Sequence, residues 1–163
     1  MHSAVSAFSG HPALSRQNTA NDNRLWFAAI AILALAGMVI SAVSLQRHYA
    51  NSSTAFCEVG ERFNCDIVNR SEYSSLMGIP VAGVGILGYG ALFVLATIYR
   101  AREQTPLRLL VAALAGLAFA LYLTYVEGYV LETWCILCLS SLVLIAMITV
   151  LAAVLKVRTG QRR

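Results

Sequence analysis

The chain has 163 residues, of which 58% are apolar and 12% are charged. Soluble globular domains carry roughly 45–50% apolar residues, glycine included, and about a quarter charged residues. A domain of this size cannot hide so much apolar surface from water, because a small fold has a high ratio of surface to volume. The composition excludes a disordered chain and makes lipid the expected solvent.

In chain order, a polar tail of residues 1–23 comes first and is expected to be disordered. Four uncharged apolar runs follow, at residues 25–45, 79–99, 109–126 and 135–155. At about 1.5 Å per residue each run forms a helix of roughly 27–32 Å, which matches a hydrocarbon core of about 30 Å. Residues 24–156 are therefore predicted to form one all-α membrane domain with four transmembrane helices, followed by a second tail at residues 157–163.

Basic residues divide unequally between the two sides of this topology. Nine lysines and arginines lie on the side that holds both termini and the 99–109 connection, and three lie on the other side, namely Arg47, Arg62 and Arg70. The positive-inside rule then places both termini in the cytoplasm. The loop at 46–78 and the turn at 127–134 face outward, and no nucleic-acid partner is expected because topology explains the basic residues.

All four cysteines, at positions 57, 65, 135 and 138, fall on the outward side, and disulfides persist on the outer face of a bacterial inner membrane as they do in the ER lumen. Cys135 and Cys138 form a Cys-x-x-Cys motif where the last turn enters the fourth helix. Unsatisfied N–H groups at a helix N-terminus favour a thiolate and lower the pKa of the thiol. A disulfide between residues only three positions apart closes a short ring, which is typical of a redox-active disulfide. The alternative is that the two thiols are buried apolar fillers.

Cys57 and Cys65 lie in the polar outer loop and allow three interpretations. They form a structural disulfide, or a mobile dithiol between a soluble partner and the membrane pair, or half of a tetra-cysteine zinc site. The spacing is not that of a zinc knuckle, so no metal is expected.

Two dithiols beside a membrane require an electron acceptor, and a quinone that binds in the core of the helix bundle is the simplest candidate. Tyr89 and Tyr122 lie within spans and could reach a quinone oxygen, although hydrogen-bonded core tyrosines are commoner.

The order and spacing of these motifs resemble those of bacterial homologues of vitamin K epoxide reductase. The resemblance covers about residues 24–155 and rests on Cys57 to Cys65, on the segment Asp66-Ile67-Val68-Asn69-Arg70-Ser71-Glu72-Tyr73, on Gly78-Ile79-Pro80 and on Cys135-Ile136-Leu137-Cys138. DsbB-type quinone reductases have their Cys-x-x-Cys motif in the first outer loop, whereas here the close pair comes last.

The resemblance implies a four-helix bundle around a quinone (ubiquinone or menaquinone), capped by a half-helix in the outer loop. It implies that Cys138 lies next to the quinone with Cys135 as its partner, that Cys65 exchanges with Cys135, and that Cys57 exchanges with a thioredoxin-like protein. Ser71 matches the family's loop hydroxyl near the active pair and is expected at the quinone site. It would equally serve as the N-cap of a helix at residues 72–77.

Two departures from the family pattern shape the predicted function. Only eight residues follow Leu155, so the thioredoxin-like partner, a DsbA-like periplasmic protein, is expected to be a separate chain. Leu142 stands where animal members carry a tyrosine, so vitamin K epoxide is not the expected substrate. The sequence predicts a membrane thiol oxidase that reduces quinone and supports disulfide formation. The alternatives are a quinone or epoxide reductase driven by partner thiols, and a non-catalytic membrane protein stapled by disulfides.

Overall fold

The computed structural model describes residues 11–49, 64–76 and 78–161. These residues form four long helices, α1 (His11–Tyr49), α3 (Val81–Thr97), α4 (Thr105–Tyr129) and α5 (Ile136–Gly160). The connection between α1 and α3 contains the short helix α2 (Cys65–Arg70), a 3₁₀ turn (Glu72–Ser74) and a hairpin of β1 (Ser75–Leu76) and β2 (Ile79–Pro80).

Three of the described helices are long and apolar enough to cross a membrane: α1 from Asn23 onward, α4 and α5. The apolar helix α3 is shorter, with 17 residues. It starts later than the apolar run at 79–99 because Ile79 and Pro80 pair with β1, and the helix begins directly after the proline. The predicted fold class, an all-α membrane protein built as a four-helix bundle with a short helix in the outer loop, is confirmed.

The four long helices form a ring in which α1 contacts α3 and α5, and α4 contacts the same two helices. Fully buried alanines on α1, α4 and α5 (Ala34, Ala113 and Ala152) allow the helix backbones to approach closely. Larger residues fill the remaining core, namely Ile30, Leu109, Ile148 and Leu155. The outer faces remain apolar, as lipid contact requires; Ile32 is 68% exposed and Leu87 is 74% exposed.

The two predicted tails are partly helical. Helix α1 already begins at His11, so the expectation of a disordered segment is wrong for residues 11–23, and α5 continues through Gly160. Extending an existing helix adds one hydrogen bond per residue without a new nucleation step, and Pro12 is tolerated in the first turn. Residues 1–10 of the predicted tail lie outside the described residues.

Candidate active site

Three cysteines meet at one end of the bundle. Cys65 is the first residue of α2, Cys135 immediately precedes α5, and Cys138 lies in the first turn of α5. Cys65 and Cys135 are 1% and 0% exposed, and they share a buried cluster with Val68. The Cys135 thiol is hydrogen-bonded to both Cys65 and Cys138. No disulfide joins any two of these three cysteines.

Backbone pairing brings α2 to the start of α5. The N–H of Asn64 donates to the carbonyl of Trp134 over 3.2 Å, so the residue before Cys65 is joined to the residue before Cys135. The Asn64 side chain also accepts a hydrogen bond from the Ile67 N–H at 3.1 Å, which satisfies a donor in the first turn of α2. Cysteines 70 positions apart in the chain are thereby held side by side.

Glu127 closes the turn between α4 and α5 with its main chain and its side chain. Its carbonyl accepts from the Thr133 N–H at 3.1 Å, and its Oε2 accepts from the Cys135 N–H at 3.2 Å. Glu132 turns the chain with a φ of 51°. Gly128 leaves room for an aromatic ring, because a Cβ at this position would lie 3.0 Å from the Trp134 side chain.

The Glu127 carboxylate is itself part of the sulfur cluster. The residue is 2% exposed, and a carboxylate oxygen and the sulfurs of Cys135 and Cys138 all lie within 4.8 Å of one another. Its Oε1 accepts no hydrogen bond from any residue that the structure describes. Sequence reasoning placed this acid only in an outward turn. An acid eight positions before a Cys-x-x-Cys motif, at the end of an apolar run, was the signal that could have identified it.

The environment of Cys135 differs from the predicted one. Its hydrogen bond to Cys138 raises the pKa of Cys135, the hydrogen bond with Cys65 lowers it by less, and burial raises it further. The predicted lowering of the pKa by the helix N-terminus is therefore wrong for this thiol. The reason is that the buried Cys135 thiol donates its proton to a neighbouring sulfur, which stabilises the protonated form.

A cavity of about 470 Å³ opens beside the sulfurs between the long helices. Its wall is mostly apolar, and its size is within the range of small-molecule sites, about 300–1,000 Å³. Cys138 and Glu127 line it, whereas Cys65 and Cys135 are not among the described lining residues. Cys138 is thus in contact both with the buried cysteines and with the cavity.

Ser71 and Tyr89 also line this cavity. The Ser71 hydroxyl donates to the Val68 carbonyl at 2.8 Å and makes no side-chain cap, although Ser71 holds the N-cap position of the 3₁₀ turn. The helix expected at residues 72–77 ends at Ser74, because β1 begins with the next residue. The Tyr89 hydroxyl lies 2.9 Å from the carbonyl oxygen and 2.9 Å from the hydroxyl of Ser141, which joins α3 to α5.

Tyr122 lies elsewhere. It is 54% exposed and is not among the described residues that line the cavity. The described lining residues of α4 include Phe119, Leu123 and Val126 instead. The structure therefore places Tyr122 outside the described lining of this cavity, and its contact with a quinone stays a prediction.

Cys57, the fourth predicted site residue, lies outside the described residues. Its pairing with Cys65 stays a prediction, and so does its exchange with a partner. A tetra-cysteine metal site would also require this residue.

The comparison with known families agrees with this arrangement. The family model of the vitamin K epoxide reductase family matches residues 28–153, which include α3, α4, most of α5 and the described cysteines. Its members are membrane oxidoreductases that in general use quinones as electron acceptors and work with thioredoxin-like partners. A match over most of the chain, together with a bundle that carries clustered thiols beside an apolar cavity, shows that this chain belongs to the vitamin K epoxide reductase family.

Proposed function

We propose that this protein is a thiol:quinone oxidoreductase of the bacterial inner membrane that supports disulfide-bond formation in the periplasm. Electrons pass from a separate thioredoxin-like protein to Cys57 and Cys65, then to Cys135 and Cys138, and finally to a quinone. The observation that carries the proposal is the position of Cys138, which is hydrogen-bonded to the buried Cys135 and also lines the cavity.

The buried thiols are arranged for exchange in sequence. A Cys65 thiolate attacks the Cys135 sulfur of a Cys135–Cys138 disulfide, so that an S–S bond forms between residues 65 and 135 and Cys138 leaves with the electron pair. Attack of Cys57 on Cys65 then releases Cys135 and regenerates the outer disulfide. The hydrogen bond between Cys65 and Cys135 supports the first of these steps, because it places the two sulfurs in contact.

The cavity suits a quinone head group. Apolar side chains form most of its wall, and a few polar side chains, among them Ser71 and Tyr89, interrupt it. A bound quinone supplies an acceptor for two electrons and two protons. Ser71 already donates its hydroxyl hydrogen to Val68, so donation to a quinone oxygen requires this hydroxyl to rotate.

The charge distribution supports the proposed orientation in the membrane. Arg24 and Arg100 border the same surface cleft, and the Arg158 guanidinium lies 4.8 Å from the centre of the Trp26 ring. These residues lie at the end of the bundle opposite to the cysteines. A basic end away from the thiols is what the positive-inside rule requires if the thiols face the periplasm.

The proposal is tested by reconstituting the protein in lipid with a reduced thioredoxin-like substrate and a quinone, and by following quinone consumption. We expect turnover in the wild type and none in Cys138→Ala. Ser140→Ala is the matched control, because among the described residues the Ser140 hydroxyl bonds only to the carbonyl of Ile136 in its own helix. Undiminished turnover in Cys138→Ala contradicts the proposal.

A further inference from the structure

Proton transfer is the part of this chemistry that the cysteines do not perform by themselves. Closing a disulfide between Cys135 and Cys138 forms one S–S bond, breaks two S–H bonds and releases two electrons and two protons. Reduction of a quinone to a quinol takes up the same two electrons and two protons. The protons must therefore move from the buried thiols to the acceptor in the cavity.

We infer that Glu127 is a catalytic residue that carries these protons between the thiols of Cys135 and Cys138 and the cavity. Its carboxylate accepts a proton from a thiol as the S–S bond forms and passes it on to the acceptor, so that the carboxyl group is unchanged after each turnover. This inference rests on the proposed function.

Position is the first argument. The described titratable side chains that line the cavity are His48, Tyr73, Tyr89, Glu127 and Cys138. Of these, the Glu127 carboxylate is the group that lies within 4.8 Å of both sulfurs of the Cys-x-x-Cys motif. Direct proton exchange requires only a small movement from this separation, and acid–base contacts commonly tighten when a substrate binds.

The hydrogen bonds of the carboxylate are the second argument. Oε2 is held by the Cys135 N–H, which fixes the side chain, while Oε1 is buried without a partner among the described residues. A buried oxygen without a partner is costly, since it has lost the hydrogen bonds of water without a replacement. Such an oxygen is therefore free to accept a proton.

The chemistry of the thiols is the third argument. Cys135 is held in its protonated form by its hydrogen bond to Cys138 and by burial, which raise its pKa. A thiol of this kind is a poor nucleophile and a poor electron donor until a base removes its proton. An adjacent carboxylate is such a base.

A purely structural role is the competing interpretation, because Glu127 also closes the turn before Cys135. Glu127→Gln separates the two roles: the amide oxygen can still accept from the Cys135 N–H, but the side chain can no longer carry a proton. Glu127→Asp keeps the acid and shortens the reach.

The experiment uses the full chain in lipid, reduced beforehand and mixed with quinone for a single turnover. We expect Glu127→Gln to form quinol at least about 100-fold more slowly than the wild type, which is the lower range for loss of a general base. Glu127→Asp is expected to retain more activity than Glu127→Gln. Exchange of the outer thiols with the reduced partner, followed by trapping mixed disulfides, is expected to be unchanged in both variants.

A second readout needs no quinone. With no quinone to take up the proton, Glu127 keeps it when the disulfide forms, so infrared difference spectra between the dithiol and disulfide forms are expected to contain a carboxyl band in the wild type that is lost in Glu127→Gln. Wild-type rates of quinol formation in Glu127→Gln, or a wild-type spectrum without a carboxyl change, overturn the inference while the Cys138-dependent reaction stands. If the wild type itself reduces no quinone, the proposed function fails, and the inference that rests on it fails as well.

Discussion

The two ends of the bundle consist of the same helices but differ in how closely these helices pack. At the basic end, Leu109, Ala152 and Leu155 are fully buried, and the Thr105 hydroxyl donates to the Tyr99 carbonyl at 2.5 Å, which ties the start of α4 to the preceding connection. At the cysteine end the helices separate around a cavity, and the buried groups are thiols and a carboxylate. Close packing stabilises one end, and chemistry requires that the packing of the other be incomplete.

The largest effect is expected at the cysteine end, from Cys135→Ser. Loss of this sulfur removes both the acceptor for Cys65 and the partner of Cys138, so electron transfer from the periplasmic protein to quinone should be abolished. Reconstituted turnover and disulfide formation in cells measure the effect. Ile136→Val, at the exposed neighbouring position, is the control and should keep full activity. If Cys135→Ser only lowers stability and disulfide formation continues, the site is structural.

Leu155→Ala tests the opposite end. The fully buried side chain lies in the core between the long helices, and its truncation should lower the free energy of unfolding by about 2–5 kcal/mol. Turnover per folded molecule should not change, because the residue lies outside the cavity lining. Unfolding in detergent titrations measures the loss. Val150 lies on the outer face of the same helix and is 62% exposed, so Val150→Ala should change the free energy of unfolding by less than about 0.5 kcal/mol.

Filling the cavity should affect only the quinone step. A Cβ at Gly88 meets no atom within 4 Å, and Gly88 lines the cavity, so Gly88→Leu can occupy the space without a clash at its Cβ. We expect quinone reduction to fall by about tenfold, equivalent to about 1.4 kcal/mol of binding free energy. Partner exchange should be unaffected.

Gly90→Leu is the matched control for this cavity variant. A Cβ at Gly90 also meets no atom within 4 Å, and Gly90 is not among the described lining residues. Equal losses in the two glycine variants would contradict a specific role of the cavity.

The smallest expected effect concerns the acidity of Cys135. Cys138→Ala removes the hydrogen bond that raises the pKa of Cys135, so the midpoint of its alkylation against pH should move to lower pH. Cys65→Ala removes the hydrogen bond that lowers this pKa, so the midpoint should move to higher pH. Peptide-resolved mass spectrometry after treatment with a small thiol reagent measures both shifts. Midpoints that move in the same direction would contradict this assignment of the hydrogen bonds.

Much of the fold could be predicted from the sequence because a membrane leaves few choices. Uncharged runs such as residues 109–126 must become helices in lipid, where every backbone group needs a partner within its own segment. The early start of α1 at His11 was missed, since polar residues with weak helix preference give no signal of their own and simply continue the helix that follows. The phase of α4, which turns Tyr122 outward, was missed because an apolar run has no polar face to mark its inside.

For the site, the sequence by itself determined which cysteines exist, their spacing and the end of the bundle that carries them, because these follow from chain order and charge. The family resemblance already implied that Cys138 lies next to a quinone, but only the tertiary structure revealed the cavity that Cys138 lines and the position of Glu127 among the thiols. The physical reason is that both depend on the Asn64–Trp134 pairing and on the turn before α5, where single hydrogen bonds fix positions to within a few ångströms. Hydrophobic patterning positions whole helices and carries no information on that scale.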